Sequence, residues 1–378
     1  MRIVMLGTRG VPARYGGFET AIEEIGRRMA DRGHEVTVYC RGAEGKPPEH
    51  LGMRLVHLPA ARKKALETLS HTFLSVLHLL FSRRRYDVAF VFNAANAVFL
   101  PVLRLRRLPT AVHVDGLEWK RAKWGGAGRR YYRASEALSV RWADALIADA
   151  QGIADYYDEE FGAETELLVY GAPILTDRHT ARIAELDLAD RGFHLVVARF
   201  EPENHVLEIV RGYRASDATL PLVVVGSAPY ADDYTAQIES AADGDPRIRL
   251  IGGVWDQELL DALYANAASY LHGHSVGGTN PSLLRAIGAG SPVIAYDVSF
   301  NAESLGPRSR YFTSPDDLAG QIEAVEADVP GAVAVADEVR EAARARYSWD
   351  VVTDGYLELA RELAAGRTRR GRASGRRS

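Results

Sequence analysis

The chain has 378 residues, 47% of them hydrophobic and 25% charged, with a formal net charge of -4. That length exceeds one typical core and predicts two domains, and the composition excludes a disordered or fibrous protein. A single cysteine, Cys40, excludes an intramolecular disulfide; with no secretory apolar region in Met1–Leu6, the expected location is the cytoplasm.

The first apolar run, RIVML, predicts a buried strand and leads into GTRGVPARYGGFET, Gly7 to Thr20. Four glycines, two arginines and a proline between a strand and a helix suit either a dinucleotide turn or a longer sugar or phosphate loop. A dinucleotide turn needs G-x-G-x-x-G and an acid at the end of the second strand. Here the glycines fall at 7, 10, 16 and 17, and Arg41 stands where the acid belongs, so an oxidoreductase is set aside. Gly16 and Gly17 open the next helix and offer backbone N–H groups to an anion. Arg9 and Arg14 add positive charge to the same loop.

Further strands are predicted at EVTVYC, RLVHLP, DVAFVFN, TAVHVD and ALIADA, and a second series at HLVVAR, LPLVVVG, RIRLIGG, ASYLHG and SPVIAYD. Short continuous apolar strands alternating with helices predict parallel sheets covered on both faces. The pattern restarts near Phe193, so the fold class expected is α/β, two doubly wound domains facing across a cleft. The boundaries expected are 1–175, 176–347, a helix over 348–366 that returns to the first domain, and a basic tail over 367–378. Within the first domain, Ala61 to Arg85 reads as a leucine-rich helix with basic ends. It is too short and too interrupted to span a bilayer; it is either a packing helix or one lying in a membrane interface. The tail carries six arginines and no acid; it is either a solvated end or a contact to anionic lipid. The acidic body argues against nucleic acid as a partner.

The stretch HGHSVGGTNPSLLRAIGAGSPVIAYD runs from a strand through a glycine turn into a helix. Pro281 suits the first helical turn, Thr279 or Asn280 its cap, and the free N–H groups form an anion site with Gly277, Gly278 and Ser282. Arg199 ends another strand, where its planar fork suits a diphosphate. In the first domain Asp115 and Glu118 are the candidate bases. Trp119 and Trp124, with Lys120, Arg121 and Lys123, form a candidate acceptor rim with Arg9 and Arg14.

On MLGTRGVPARYGGFET, HVDGLEWKRAKW, VARFEPEN and HGHSVGGTNPSLLRA, the chain resembles the family 4 retaining glycosyltransferases of GT-B fold. The branch it is most similar to comprises bacterial capsular and cell-wall polysaccharide rhamnosyltransferases. The resemblance implies metal-independent transfer of a sugar, rhamnose for this branch, from a nucleoside diphosphate donor on the second domain. The acceptor on the first domain would be a glycan or a polyprenyl-diphosphate-linked glycan, with no cofactor beyond the nucleotide sugar as substrate. Three family positions differ: Gly277 and Arg285 stand at the E-x7-E glutamates, and Asn204 at the usual phosphate lysine. Arg285 is then expected to restore the positive charge, and His274 to contact the sugar. The rival readings are a nucleotide-sugar epimerase of the same fold and a non-catalytic sugar-nucleotide-binding protein.

Overall fold

The computed structural model describes residues 1–13, 17–42, 47–61, 64–114, 117–120, 124–226 and 232–368. The chain divides into two compact units, Met1–Tyr170 with the segment from Trp349 onward, and Gly171–Ser348.

The first unit holds strands β1 (Arg2–Leu6), β2 (Glu35–Arg41), β3 (Glu49–His50), β4 (Met53–Leu58), β5 (Val88–Phe92), β6 (Thr110–His113), β7 (Ala145–Ala148) and β8 (Glu166–Leu167). They form one sheet in the order β3-β4-β2-β1-β5-β6-β7-β8, parallel throughout except for β3 against β4. All five residues of β5 are buried, as expected for a central strand covered by helices on both faces. The helix Trp349–Ala364 closes this unit and buries Val352, Tyr356, Leu357, Leu359 and Leu363.

The second unit holds β9 (His194–Val197), β10 (Leu222–Val225), β11 (Ile248–Gly252), β12 (Ser269–His272), β13 (Val293–Tyr296) and β14 (Arg310–Phe312). Their order is β11-β10-β9-β12-β13-β14, all parallel. Val196, Leu222, Val224 and Ile294 pack with Ile209, Tyr213, Phe312, Leu318 and Ile322 into one core. Each fully buried large side chain contributes about 1.5–3 kcal/mol.

Both expected sheets are present, with three strands beyond the eleven expected. β3 and β8 are two-residue edge strands and β14 has three residues, too short to carry an apolar pattern. Among the described residues no helix is long and apolar enough to cross a membrane.

Candidate functional site

In parallel α/β sheets, ligands sit beyond the carboxyl ends of the strands, and Arg199 and the turn Ser275–Asn280 fall there in the second unit. In the second unit β9 and β12 are neighbours. Beyond β12 the chain passes Gly273, where an added Cβ would lie 2.2 Å from the Asn204 carbonyl oxygen. Only glycine permits that approach, and it brings the segment after β9 against the segment after β12.

The approach is held by hydrogen bonds. Asn204 Nδ2 donates to the Arg199 carbonyl at 2.8 Å, and its Oδ1 lies 2.8 Å from His274 Nδ1. The amide oxygen therefore accepts from Nδ1–H, which leaves Nε2 of His274 as the acceptor nitrogen. Asn204 and His274 are both buried. Asn204, expected in the place of a phosphate-binding lysine, instead spends its amide positioning His274 and the backbone of Arg199. Arg199 itself keeps half of its side chain exposed, 3.4 Å from Glu201.

The turn from Ser275 to Asn280 then opens a nine-residue helix, Pro281–Ala289. Gly277 takes φ +125°, a backbone conformation that favours glycine. Asn280 caps the helix, its Oδ1 accepting from Ser282 N at 2.9 Å and Ser282 Oγ at 2.8 Å. Tyr270 OH donates to Ser282 Oγ at 3.0 Å and lies 3.1 Å from His272 Nδ1. A directed chain thus runs from a buried imidazole through a phenol and a hydroxyl to the helix cap. Burial pushes the His272 pKa down to about 3, so the ring is neutral at pH 7, and its Nε2 has no hydrogen-bond partner among the described residues. Thr279 is buried beside this turn. Arg285 Nε donates to Asp261 at 2.6 Å, so its guanidinium is paired with a carboxylate on the helix Gln257–Asn266.

In the first unit, the loop after β1 is largely self-satisfied. Arg9 N donates to Glu19 at 3.1 Å, Gly10 N to Thr8 Oγ1 at 3.1 Å, Val11 N to Cys40 Sγ at 3.4 Å and Ala13 N to Glu23 at 2.8 Å. Two of these acceptors, Glu19 and Glu23, come from the first turns of the loop's own helix, Gly17–Asp31, and the others from Thr8 and Cys40. The Arg9 guanidinium lies 3.6 Å from Glu67, which also holds Arg41 at 3.0 Å. Arg14, Gly16, Asp115, Arg121 and Lys123, with the side chain of Lys120, lie outside the described residues. Glu118 is buried in a short turn, 3.4 Å from Trp124 Nε1. Trp119 lies under the Arg133 guanidinium at 5.1 Å, and Trp124 packs on Tyr132. Both aromatics are half-buried.

Sequence reasoning missed His113, at the end of β6. Its Nδ1 lies 2.8 Å from Tyr356 OH and its Nε2 3.9 Å from Asp149. Phe18, the residue after Gly17, sets its ring 5.0 Å from the imidazole. Burial holds the His113 pKa at about 3, which keeps the ring uncharged. Nothing in VHVD announces a partner 243 positions away.

Two family models match this arrangement. The glycosyl transferase 4-like domain matches residues 16–171, and glycosyl transferases group 1 matches residues 178–346. The chain is a glycosyltransferase of GT-B type. Among solved structures, this glycosyltransferase is similar to sucrose-phosphate synthase from Thermosynechococcus elongatus, with TM-score 0.81 and 21% identity over 97% of this chain and 99% of that one. It is similar also to Anabaena HepE in complex with UDP, with TM-score 0.76 and 16% identity over 96% of this chain and all of that one. A curated relative, the Escherichia coli O-antigen chain mannosyltransferase B, is 25% identical over 128 residues, which span 33% of each chain.

Proposed function

We propose that this glycosyltransferase takes its sugar from a nucleoside diphosphate donor bound to the second unit. The observation that carries this reading is the helix Pro281–Ala289, whose capped N-terminus follows a glycine turn beyond β12, with the half-exposed Arg199 beyond the neighbouring strand β9. The N–H groups of the glycine turn and the helix dipole suit one phosphate, and a guanidinium suits the other. Solved neighbours crystallised with UDP and with UDP-glucose support a nucleotide sugar.

As the leaving diphosphate gains charge, the fixed dipoles of Gly278 to Asn280 and the Arg199 guanidinium stabilise it. Such preorganised electrostatics is usually the largest single catalytic contribution. The leaving phosphate oxygen can itself accept the proton of the acceptor hydroxyl, so the reaction needs no dedicated side-chain base. His274, oriented through Nδ1 by Asn204, is the residue suited to contact a sugar hydroxyl. Asp115 and Glu118 remain the candidate bases on the first unit.

Rhamnose is the sugar favoured by the motifs that resemble polysaccharide rhamnosyltransferases, and a polyprenyl-diphosphate-linked glycan is the favoured acceptor. The O-antigen relative supports a polysaccharide setting.

The test is thermal stabilisation by a panel of dTDP-rhamnose, UDP-glucose and GDP-mannose, in the presence of EDTA. One donor is expected to raise Tm, since a ligand at 100 times its Kd contributes about 2.7 kcal/mol. The variant R199A is expected to lose that rise while keeping its own Tm. Equal stabilisation of R199A, or stabilisation only after metal is restored, overturns the site.

A further inference from the structure

The helix Lys64–Phe81 departs from the usual amphipathic arrangement. The face it turns inward carries polar groups, with His71, Thr72 and Ser75 fully buried beside Val76 and Leu79. The opposite face leaves Leu66 50%, Phe73 48% and Phe81 81% exposed. At 3.6 residues per turn, Leu66, Phe73, Leu77 and Phe81 fall along one stripe. Hydroxyls and an imidazole are buried with Val76 and Leu79, while a leucine and two phenylalanines face outward with His78, against the ordinary partition of large apolar groups. A contiguous exposed apolar face of this kind marks an interaction surface.

Its surroundings state the charge of the partner. Arg106 donates to the carbonyl of Leu79, to that of Ser82 at 2.8 Å and to that of Arg84 at 3.4 Å. This clamps the segment Arg104–Arg107 against the carboxyl end of the helix, and that segment adds Leu105, 75% exposed. Arg83, Arg85, Arg104 and Arg107 are all exposed, and none forms an ion pair with the described residues. The sequence at the start of the helix is basic too, with Arg62 and Lys63 before it and Lys64 its first residue. A second copy of the same face would therefore set cations against cations in either orientation.

We propose that this face docks on an anionic bilayer, the apolar stripe lying in the interface and the arginines on lipid phosphates. The inference rests on the lipid-linked acceptor proposed above. It gives that acceptor a route to the protein: Glu67, which holds Arg9 and Arg41, is next to Leu66 at the start of the stripe.

The test is co-sedimentation of the full chain with phosphatidylcholine vesicles and with mixed phosphatidylcholine–phosphatidylglycerol vesicles. Binding is expected only to the anionic vesicles and is expected to weaken as salt rises. The double variant F73E/F81E is expected to bind at least about tenfold more weakly, with Tm and the nucleotide-sugar shift retained. If that variant misfolds, R83E/R104E, altered only at exposed side chains, serves in its place and is expected to lose binding likewise.

Three results overturn the docking face. One is absence of binding by the wild type. Another is equal binding by a folded variant, which would assign binding to the basic tail. The third is a dimer that F73E/F81E dissolves without any vesicle binding. Vesicle binding with no response to any nucleotide sugar would instead fail the proposed function and leave the docking face intact.

Discussion

Glu326 shows how much one side chain can hold in this fold. Its carboxylate accepts from His194 Nε2 at 3.0 Å, from the backbone N–H groups of Thr219 and Leu220, and from Thr219 Oγ1 at 2.8 Å. Burial pushes its pKa up, but those hydrogen bonds outweigh it and hold the group down at about 2. A carboxylate depressed in the folded state contributes its full stability above its unfolded pKa, near 4.5, and loses it as pH falls towards 2. The wild type should therefore lose roughly 2 kcal/mol across that window, after allowance for partial solvent screening. E326Q should start less stable at pH 7 and show a flatter acid limb. Thermal unfolding of both proteins between pH 7 and pH 2 checks this, and parallel limbs would refute it. His194 is buried at the start of β9, so this lock lies at the opposite end of the sheet from the proposed donor site. Its loss should act on stability rather than on donor affinity.

Among the elements, the helix Pro281–Ala289 carries most of the proposed chemistry, and its cap separates folding from binding. Asn280 Oδ1 accepts from the helix N-terminus, and N280A should cost about 1 kcal/mol of stability. N280D keeps an acceptor oxygen and adds a negative charge where a phosphate is proposed to sit. It should keep the wild-type Tm, yet lose nearly all stabilisation by the nucleotide sugar. A variant that binds donor normally would remove this helix from the site. The helix was legible because Asn-Pro after a glycine turn, followed by an apolar period, is a local signal. The commitments of its side chains were not legible. Arg285 to Asp261 is a contact between two helices, and Asn204 to His274 joins positions 70 apart. The loop after β1 repeats the point: its composition suits an anion, but Glu19 and Glu23 already accept the N–H groups of Arg9 and Ala13.

At the scale of the whole molecule, the chain leaves the first unit at Tyr170 and rejoins it at Trp349. Arg32 pairs with Asp350 and Asp354, Phe90 sets its ring edge to Tyr356 at 5.1 Å, and Tyr356 reaches His113. The returning helix buries Trp349, Val352, Tyr356, Leu357, Leu359 and Leu363. At about 1.5 kcal/mol or more for each, its removal approaches the 5–15 kcal/mol that typically stabilises a domain. A chain ending at Ser348 should lose the cooperative unfolding transition of the first unit, whereas one ending at Thr368 should unfold as the full chain does. Calorimetry of the two truncations tests this, and an intact first-unit transition without the helix would contradict it.

By itself, the sequence determined two parallel sheets with helices between their strands, and the positions of the glycine turns beyond the strand ends. Those features are local: continuous apolar runs demand burial on both faces, and glycine and proline punctuate the backbone wherever they stand. Only the tertiary structure decided which polar groups were already spent, as with Asn204, Arg285 and the N–H groups of residues 9–13. It alone set His113 beside Tyr356, and it alone turned the apolar stripe of the helix Lys64–Phe81 outward. A hydrogen bond or a buried face is a property of two segments brought together by packing, and periodicity within one segment does not specify the other.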